Sequence, residues 1–209
     1  MSPATYDRLF NYTHAFESPV TLWMTVGIAS ALAIAPLVIV GLGAAGKLTP
    51  GLRRELLLRY YSWLVIAPLL LACVLLGAFW LMLGVGVLSL ACYREYARAT
   101  GLFRERLVSA LVALGIVVVT VSALDNWYAW FVALFPISVG VLAAVPILED
   151  RPKGYIQRVA LAVLAFSLFG SALGHLGYLG NDRHYRPMVL LILMAVELND
   201  VFAFICGKT

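Results

Sequence analysis

A chain of 209 residues that is 63% hydrophobic and 12% charged, with a mean hydropathy of +0.94, is far too apolar for one soluble core and reads as an all-α polytopic membrane protein. Its formal charge of +4 does not point to nucleic acid, because in such a chain the placement of Lys and Arg matters more than their sum. The cysteines Cys73, Cys92 and Cys206 are odd in number, lie in or beside apolar runs and lack metal-ligand spacing, so they read as reduced packing residues.

The first segment, "MSPATYDRLFNYTHAFESP", sets Asp7 and Glu17 against Arg8 and precedes a long apolar run. That is the wrong plan for a cleaved signal peptide and predicts an uncleaved anchor. Asn11 to Thr13 matches a glycosylation acceptor by pattern alone and carries no weight. A bilayer core takes about 20 apolar residues per helix, and lipid cannot satisfy unpaired backbone groups. The runs near 20–43, 108–124, 128–148, 156–178 and 187–206 therefore each predict one spanning helix. Trp63 to Cys92 is long for one helix and short for two. "LLGAFW" around Gly77 predicts a break there, with one helix ending near Leu76 and the next running from Ala78 into "ACYREYARATG".

Seven spans with the N-terminus outside place nearly all basic residues on the cytoplasmic side, as the positive-inside bias requires. The inside groups are Lys47, Arg53, Arg54 and Arg59; then Arg94, Arg98, Arg104 and Arg106; then Arg151, Lys153 and Arg158; and last Lys208. Only Arg8, Arg183 and Arg186 fall outside. Fusing the two helices at Gly77 would put the second group opposite the first and destroy the bias. Residues 1–209 read as a single transmembrane domain, with loops too short to fold alone and no linker or internal repeat. Gly170 and Gly174 stand at GxxxG spacing, with Gly177 and Gly180 continuing a small-residue face, which predicts close packing of that helix on a neighbour.

Ionisable groups at membrane depth are costly and point to function or to a named partner. Glu95, flanked by Arg94 and Arg98 at the cytoplasmic end of the third span, is balanced between an interfacial ion pair and a functional role. His175, on the glycine-lined helix, is expected to be neutral and hydrogen-bonded to a neighbouring helix. Glu197, Asn199 and Asp200 cluster near the end of the last apolar run, and a spacing of three puts both carboxylates on one helix face. Such a pair shares a proton, meets a basic residue or binds a metal. Hard oxygen ligands suit Mg2+, which takes few protein carboxylates and keeps its other positions for water and phosphate oxygens. The plain alternative is a polar helix end reaching for the interface.

Asp200, Ala203, Phe204, Gly207 and Lys208 in "NDVFAFICGK" resemble the first signature of the phosphatidate cytidylyltransferases, or CDP-diacylglycerol synthases, which reads D-x-x-A-[YF]-x-x-G-[RK]. The stretch from Arg59 through the Glu95-bearing turn is similar to that family's early arginine, paired helices and glutamate. "ALGHLGYL" followed by "ELNDVFAFICGK" is similar to a divergent bacterial branch of it. The resemblance implies CMP transfer from CTP to phosphatidate with Mg2+, in a multi-pass protein of the bacterial inner membrane, its partners being CTP, phosphatidate and the bilayer. A homodimer stays open, and nucleic acid is not a partner.

By the same resemblance Asp200 serves catalysis and metal binding. Lys208, Asn199 and Glu95 serve substrate binding. Glu197 is a further catalytic candidate, although the family pattern is often not acidic at that position. The family's later motifs, a K-D pair, a P-G-H-G-G turn and a D-R-x-D cluster, do not occur in the 209 residues. The expectation is therefore an N-terminal portion of a longer enzyme, inactive by itself. Two alternatives stand beside this reading: a proton-coupled transporter using Glu197 and Asp200, and a related CTP-dependent lipid kinase.

Overall fold

The computed structural model describes residues 3–46 and 49–207. Among them it is all-helical, with eight helices: α1 (Pro3–Phe10), α2 (Pro19–Ala44), α3 (Pro50–Leu76), α4 (Ala78–Thr100), α5 (Arg106–Asp125), α6 (Tyr128–Glu149), α7 (Tyr155–Asn181) and α8 (Tyr185–Cys206). Counted over the described residues alone, six of these, α2 to α7, are long and apolar enough to cross a membrane. Each of the five runs read as one span is one helix, and Trp63–Cys92 is divided between α3 and α4. Their large apolar side chains lie open, with Trp23 and Leu37 both 71% exposed, as lipid-facing positions require.

The helix starts follow local chemistry. Pro19 and Pro50 open α2 and α3 at positions where a missing N–H costs nothing, and the Thr49 side chain accepts from the Leu52 amide at 3.4 Å. Pro36, Pro68 and Pro136 interrupt the apolar runs in sequence, yet α2, α3 and α6 continue through them. Such prolines are tolerated where neighbouring groups re-satisfy the freed carbonyls.

The helices group into two compact units. The first holds α1, α2, α3 and α8, and the second holds α4 to α7.

In the first unit α3 ends at Leu76, and Gly77 takes φ 137° and ψ 166°, a conformation reserved for glycine. The break expected around "LLGAFW" thus falls on Gly77 itself. The Leu9 carbonyl of α1 crowds this position, so that a Cβ built there would stand 2.6 Å from the oxygen. α1 went unseen in the sequence because eight residues with two charges give no hydropathy signal. Its neighbour segment is held by Arg186, a residue only 8% exposed, whose guanidinium donates to the carbonyls of Asn11 and His14 and lies 4.9 Å from the Tyr185 ring centroid. Tyr185 in turn donates its hydroxyl to the Val74 carbonyl at 3.1 Å. The start of α8 is therefore tied both to the N-terminal segment and to the end of α3.

Arg186→Met keeps the stem and removes the donors, taking a partner from the Asn11 carbonyl and leaving the His14 carbonyl only the Glu17 amide at 3.4 Å. It is expected to cost about 2–3 kcal/mol, since bonds from a charged donor are worth roughly twice neutral ones. Thermal unfolding in detergent would show the drop, and an unchanged midpoint would mean that the guanidinium is not what holds the segment.

The second unit is built on close backbone approach. A Cβ at Gly174 of α7 would fall 2.6 Å from Val119 of α5, and one at Gly86 of α4 would fall 2.7 Å from Thr120. Gly177 and Gly180 face Val85 and Met82 of α4, so the small-residue face of α7 packs against neighbours as its spacing predicts. Between Phe166 and Ala172 α7 widens into a π-helical stretch that the sequence did not announce. Phe166 is fully buried there, its ring close over Gly115 and Gly170. Two tyrosines lock α4 to its neighbours: Tyr93 donates to the Ser109 hydroxyl at 2.8 Å, and Tyr96 to the Leu161 carbonyl at 3.3 Å.

Candidate functional site

α8 carries the carboxylates expected from the sequence. Tyr185 and Arg186 anchor its first turn, and Glu197 and Asp200 follow 11 and 14 residues after Arg186. At 1.5 Å per residue they sit roughly 17 and 21 Å along the helix from the anchored end. A spacing of three puts both on one face of α8. Glu197 is half-buried, while Asn199 and Asp200 are exposed. Within the unit α8 packs against α2 and α3. The helix closes with the Gly207 amide bonded to the Ala203 carbonyl at 2.9 Å, so Asp200 lies in the last two turns before that stop.

Neither carboxylate forms an ion pair with a cation among the described residues. Nor do three metal-ligating side chains gather anywhere among them. Two neighbouring carboxylates, one of them exposed, are a donor set for an ion that draws its remaining ligands from water and phosphate, and they do not form a closed protein cage. The pair fits Mg2+ in that limited sense. Lys208 lies outside the described residues.

Glu95 belongs to the second unit. It is exposed near the end of α4, 3.6 Å from Arg98 and 3.7 Å from Arg94, the arrangement of an interfacial ion pair. His175 departs from its expected partner. Its Nδ1 meets the Ser171 carbonyl of its own helix at 2.8 Å, and its ring stands 4.9 Å from that of Phe131 in α6. The reason is the spacing of four, which offers a ring nitrogen the carbonyl one turn back before any neighbour's group can reach it. The neighbouring helix supplies an aromatic edge contact instead.

The residues that sequence reasoning missed are those that fix the elements. Arg186 counted only as one of the few outside charges. Its position directly before Pro187, at the head of an apolar run, was the available signal. Arg158 was counted as an inside charge, but it donates to the Arg151 carbonyl at 2.6 Å and lies 3.7 Å from Glu105, which ties the α4–α5 and α6–α7 loops together.

The sequence matches the cytidylyltransferase family over residues 57–209. The chain belongs to the cytidylyltransferase family. No curated protein and no solved structure matches it. The family match covers α4 to α8 and most of α3, and it includes the Asp200 to Gly207 signature as well as Glu95. Cytidylyltransferases of this family are membrane-embedded, which agrees with the six candidate spans. Membership implies a nucleotidyltransferase acting on CTP and phosphatidate.

Proposed function

We propose that this protein transfers CMP from CTP to phosphatidate, giving CDP-diacylglycerol and pyrophosphate. The observation that carries the reading is the family match through residues 57–209, which includes the carboxylate-bearing helix α8. In the reaction an oxygen of the phosphatidate monoester attacks the α-phosphorus of CTP, the bond from that phosphorus to the bridging oxygen breaks, and pyrophosphate leaves. Several negative charges converge, so the step needs cations and fixed donors. Asp200, assisted by Glu197, is the residue that would hold Mg2+, which supplies charge neutralisation on the phosphate oxygens. Asn199 offers a neutral hydrogen-bonding group beside it, and Lys208 offers a cation for phosphate. Glu95 enters through the two arginines that it pairs.

The test uses membranes carrying the full-length gene product, supplied with CTP, phosphatidate and Mg2+. Formation of CDP-diacylglycerol with one pyrophosphate per turnover is expected. CDP release with a phosphorylated lipid would assign a lipid kinase instead.

The proposal includes an orientation, with the N-terminus outside and the α4–α5 and α6–α7 loops in the cytoplasm. Single cysteines at Arg104 and Arg151 are expected to react with an impermeant reagent from the cytoplasmic side, and one at Asp125 from the outside. Labelling of Arg104 and Asp125 from the same side would overturn the seven-span plan.

A further inference from the structure

We propose that the cleft where α2 ends and α3 begins is a docking site for an anionic phospholipid, its phosphate held by Arg53 and Arg54 and its acyl chain laid along Leu57, Leu58 and Tyr61. The cleft is about 490 Å³ and lies wholly within the first unit. That volume falls in the range of about 300–1,000 Å³ usual for small-ligand sites.

Four observations converge on this occupant. First, the two arginines are unpaired: both are exposed, and neither forms an ion pair among the described residues. The nearby acid, Glu55, is taken by Arg59 at 3.1 Å. Helical spacing places that pair on the opposite side of α3 from the cleft. Second, Arg53 and Arg54 stand in the first turns of α3, whose first turn holds no acidic residue. The N-terminal end of a helix carries partial positive charge, so two cations there repel it, and an anion offsets both. Third, the Arg53 side chain lies against Gly43 near the end of α2, its Nε 3.7 Å from a Cβ built at that glycine, so the end of α2 and the start of α3 together wall the cleft.

The fourth observation selects a lipid over free phosphate. Arg53, Leu57 and Tyr61 follow one another at intervals of four, and Arg54, Leu58 and Tyr61 at four and three, so all five share one face. The face is cationic at the top and apolar below, and Leu58 and Tyr61 are each 60% exposed. From Arg53 to Tyr61 it descends roughly 12 Å along the helix. α2 and α3 have 26 and 27 residues, more than the roughly 20 that a bilayer core needs, so their ends reach the headgroup layer. A lipid places its phosphate and its chain in that same order, whereas inorganic phosphate would leave the apolar wall unused. Two guanidinium groups match a dianionic phosphomonoester better than a monoanionic diester. Arg53 and Arg54 precede the segment matched to the family, whereas Leu57, Leu58 and Tyr61 lie inside it.

The test is native mass spectrometry of the detergent-solubilised chain with equal amounts of phosphatidate, phosphatidylglycerol and phosphatidylcholine, without CTP or Mg2+. Loss of lipid binding and loss of nucleotide transfer are then separate results. Phosphatidate is expected to bind at least about tenfold more tightly than phosphatidylcholine, with phosphatidylglycerol between them, as two charge-assisted contacts allow. Arg53→Gln with Arg54→Gln should abolish the preference. Gly43→Leu, which keeps both arginines but fills the cleft, should weaken phosphatidate binding severalfold and serves where the double variant fails to fold. A preference that survives in the double arginine variant, phosphatidate binding undiminished in Gly43→Leu, equal binding of phosphatidylcholine by the parent chain, or displacement of phosphatidate by inorganic phosphate would overturn the assignment.

Discussion

Replacing Asp200 with asparagine is expected to lower CDP-diacylglycerol formation at least about 100-fold in membranes carrying the full-length gene product, while insertion and folding stay intact. The size follows from the kind of interaction lost, since a single fixed group that stabilises transition-state charge is commonly worth about 100- to 1,000-fold. Asparagine keeps the shape and loses the charge that a hard divalent cation needs. Folding is spared because Asp200 is exposed and forms no ion pair among the described residues, so no packed partner is orphaned. Glu197→Gln is expected to cost only about tenfold, because in the proposed site a second carboxylate would only add to the field on a cation held by Asp200. A readout besides turnover is Mn2+ binding to the 209-residue chain, followed by electron paramagnetic resonance. Binding should be weak in the parent chain and lost in Asp200→Asn. Parent-like turnover together with parent-like Mn2+ binding in that variant would reduce the cluster to a polar helix end.

Much of this protein could be read from its sequence because bilayer physics leaves few options. An apolar run of about 20 residues has to be a helix, so the helix boundaries at Leu76 and Ala78 and the packing face of Gly174 and Gly177 followed from composition and spacing. The Glu197 and Asp200 pair stood out for the same reason, since carboxylates in an apolar run are conspicuous. What hydropathy does not encode stayed hidden. α1 is short and mixed in character, and the widening of α7 at Phe166 depends on tertiary fit around Gly115 and Gly170. Arg186 looked like a loop charge, because its burial comes from carbonyls more than 170 residues away in the chain. The ring nitrogen of His175 went to a carbonyl on its own helix, a choice made by local geometry and invisible to a count of polar residues at depth.

Gly77 gives the sharpest structural test. Gly77→Ala is expected to destabilise the protein by about 3 kcal/mol, from two terms that act together. The backbone term is the left-handed φ of 137°, which an L side chain adopts only under strain of about 1–3 kcal/mol. The steric term is the Leu9 carbonyl oxygen, 2.6 Å from where the new methyl would sit, with the Phe10 Cα at 3.3 Å. Both obstacles are backbone, so relief requires moving α1 or the end of α3 rather than turning a side chain. Two other glycines separate these terms. Gly101 also has a left-handed φ, 79°, but nothing lies within 4 Å of its virtual Cβ, so Gly101→Ala should show only a backbone penalty of about 1 kcal/mol. Gly27, inside α2 with open space around it, should accept alanine at no cost or with a small gain, because alanine is the better helix former. Thermal unfolding of the three variants in one detergent should rank Gly77→Ala well below Gly101→Ala, and Gly101→Ala below Gly27→Ala. A Gly77→Ala protein as stable as Gly27→Ala would mean that α1 does not pack on the end of α3, and with it would go the tie between the N-terminal segment and the start of the carboxylate-bearing helix.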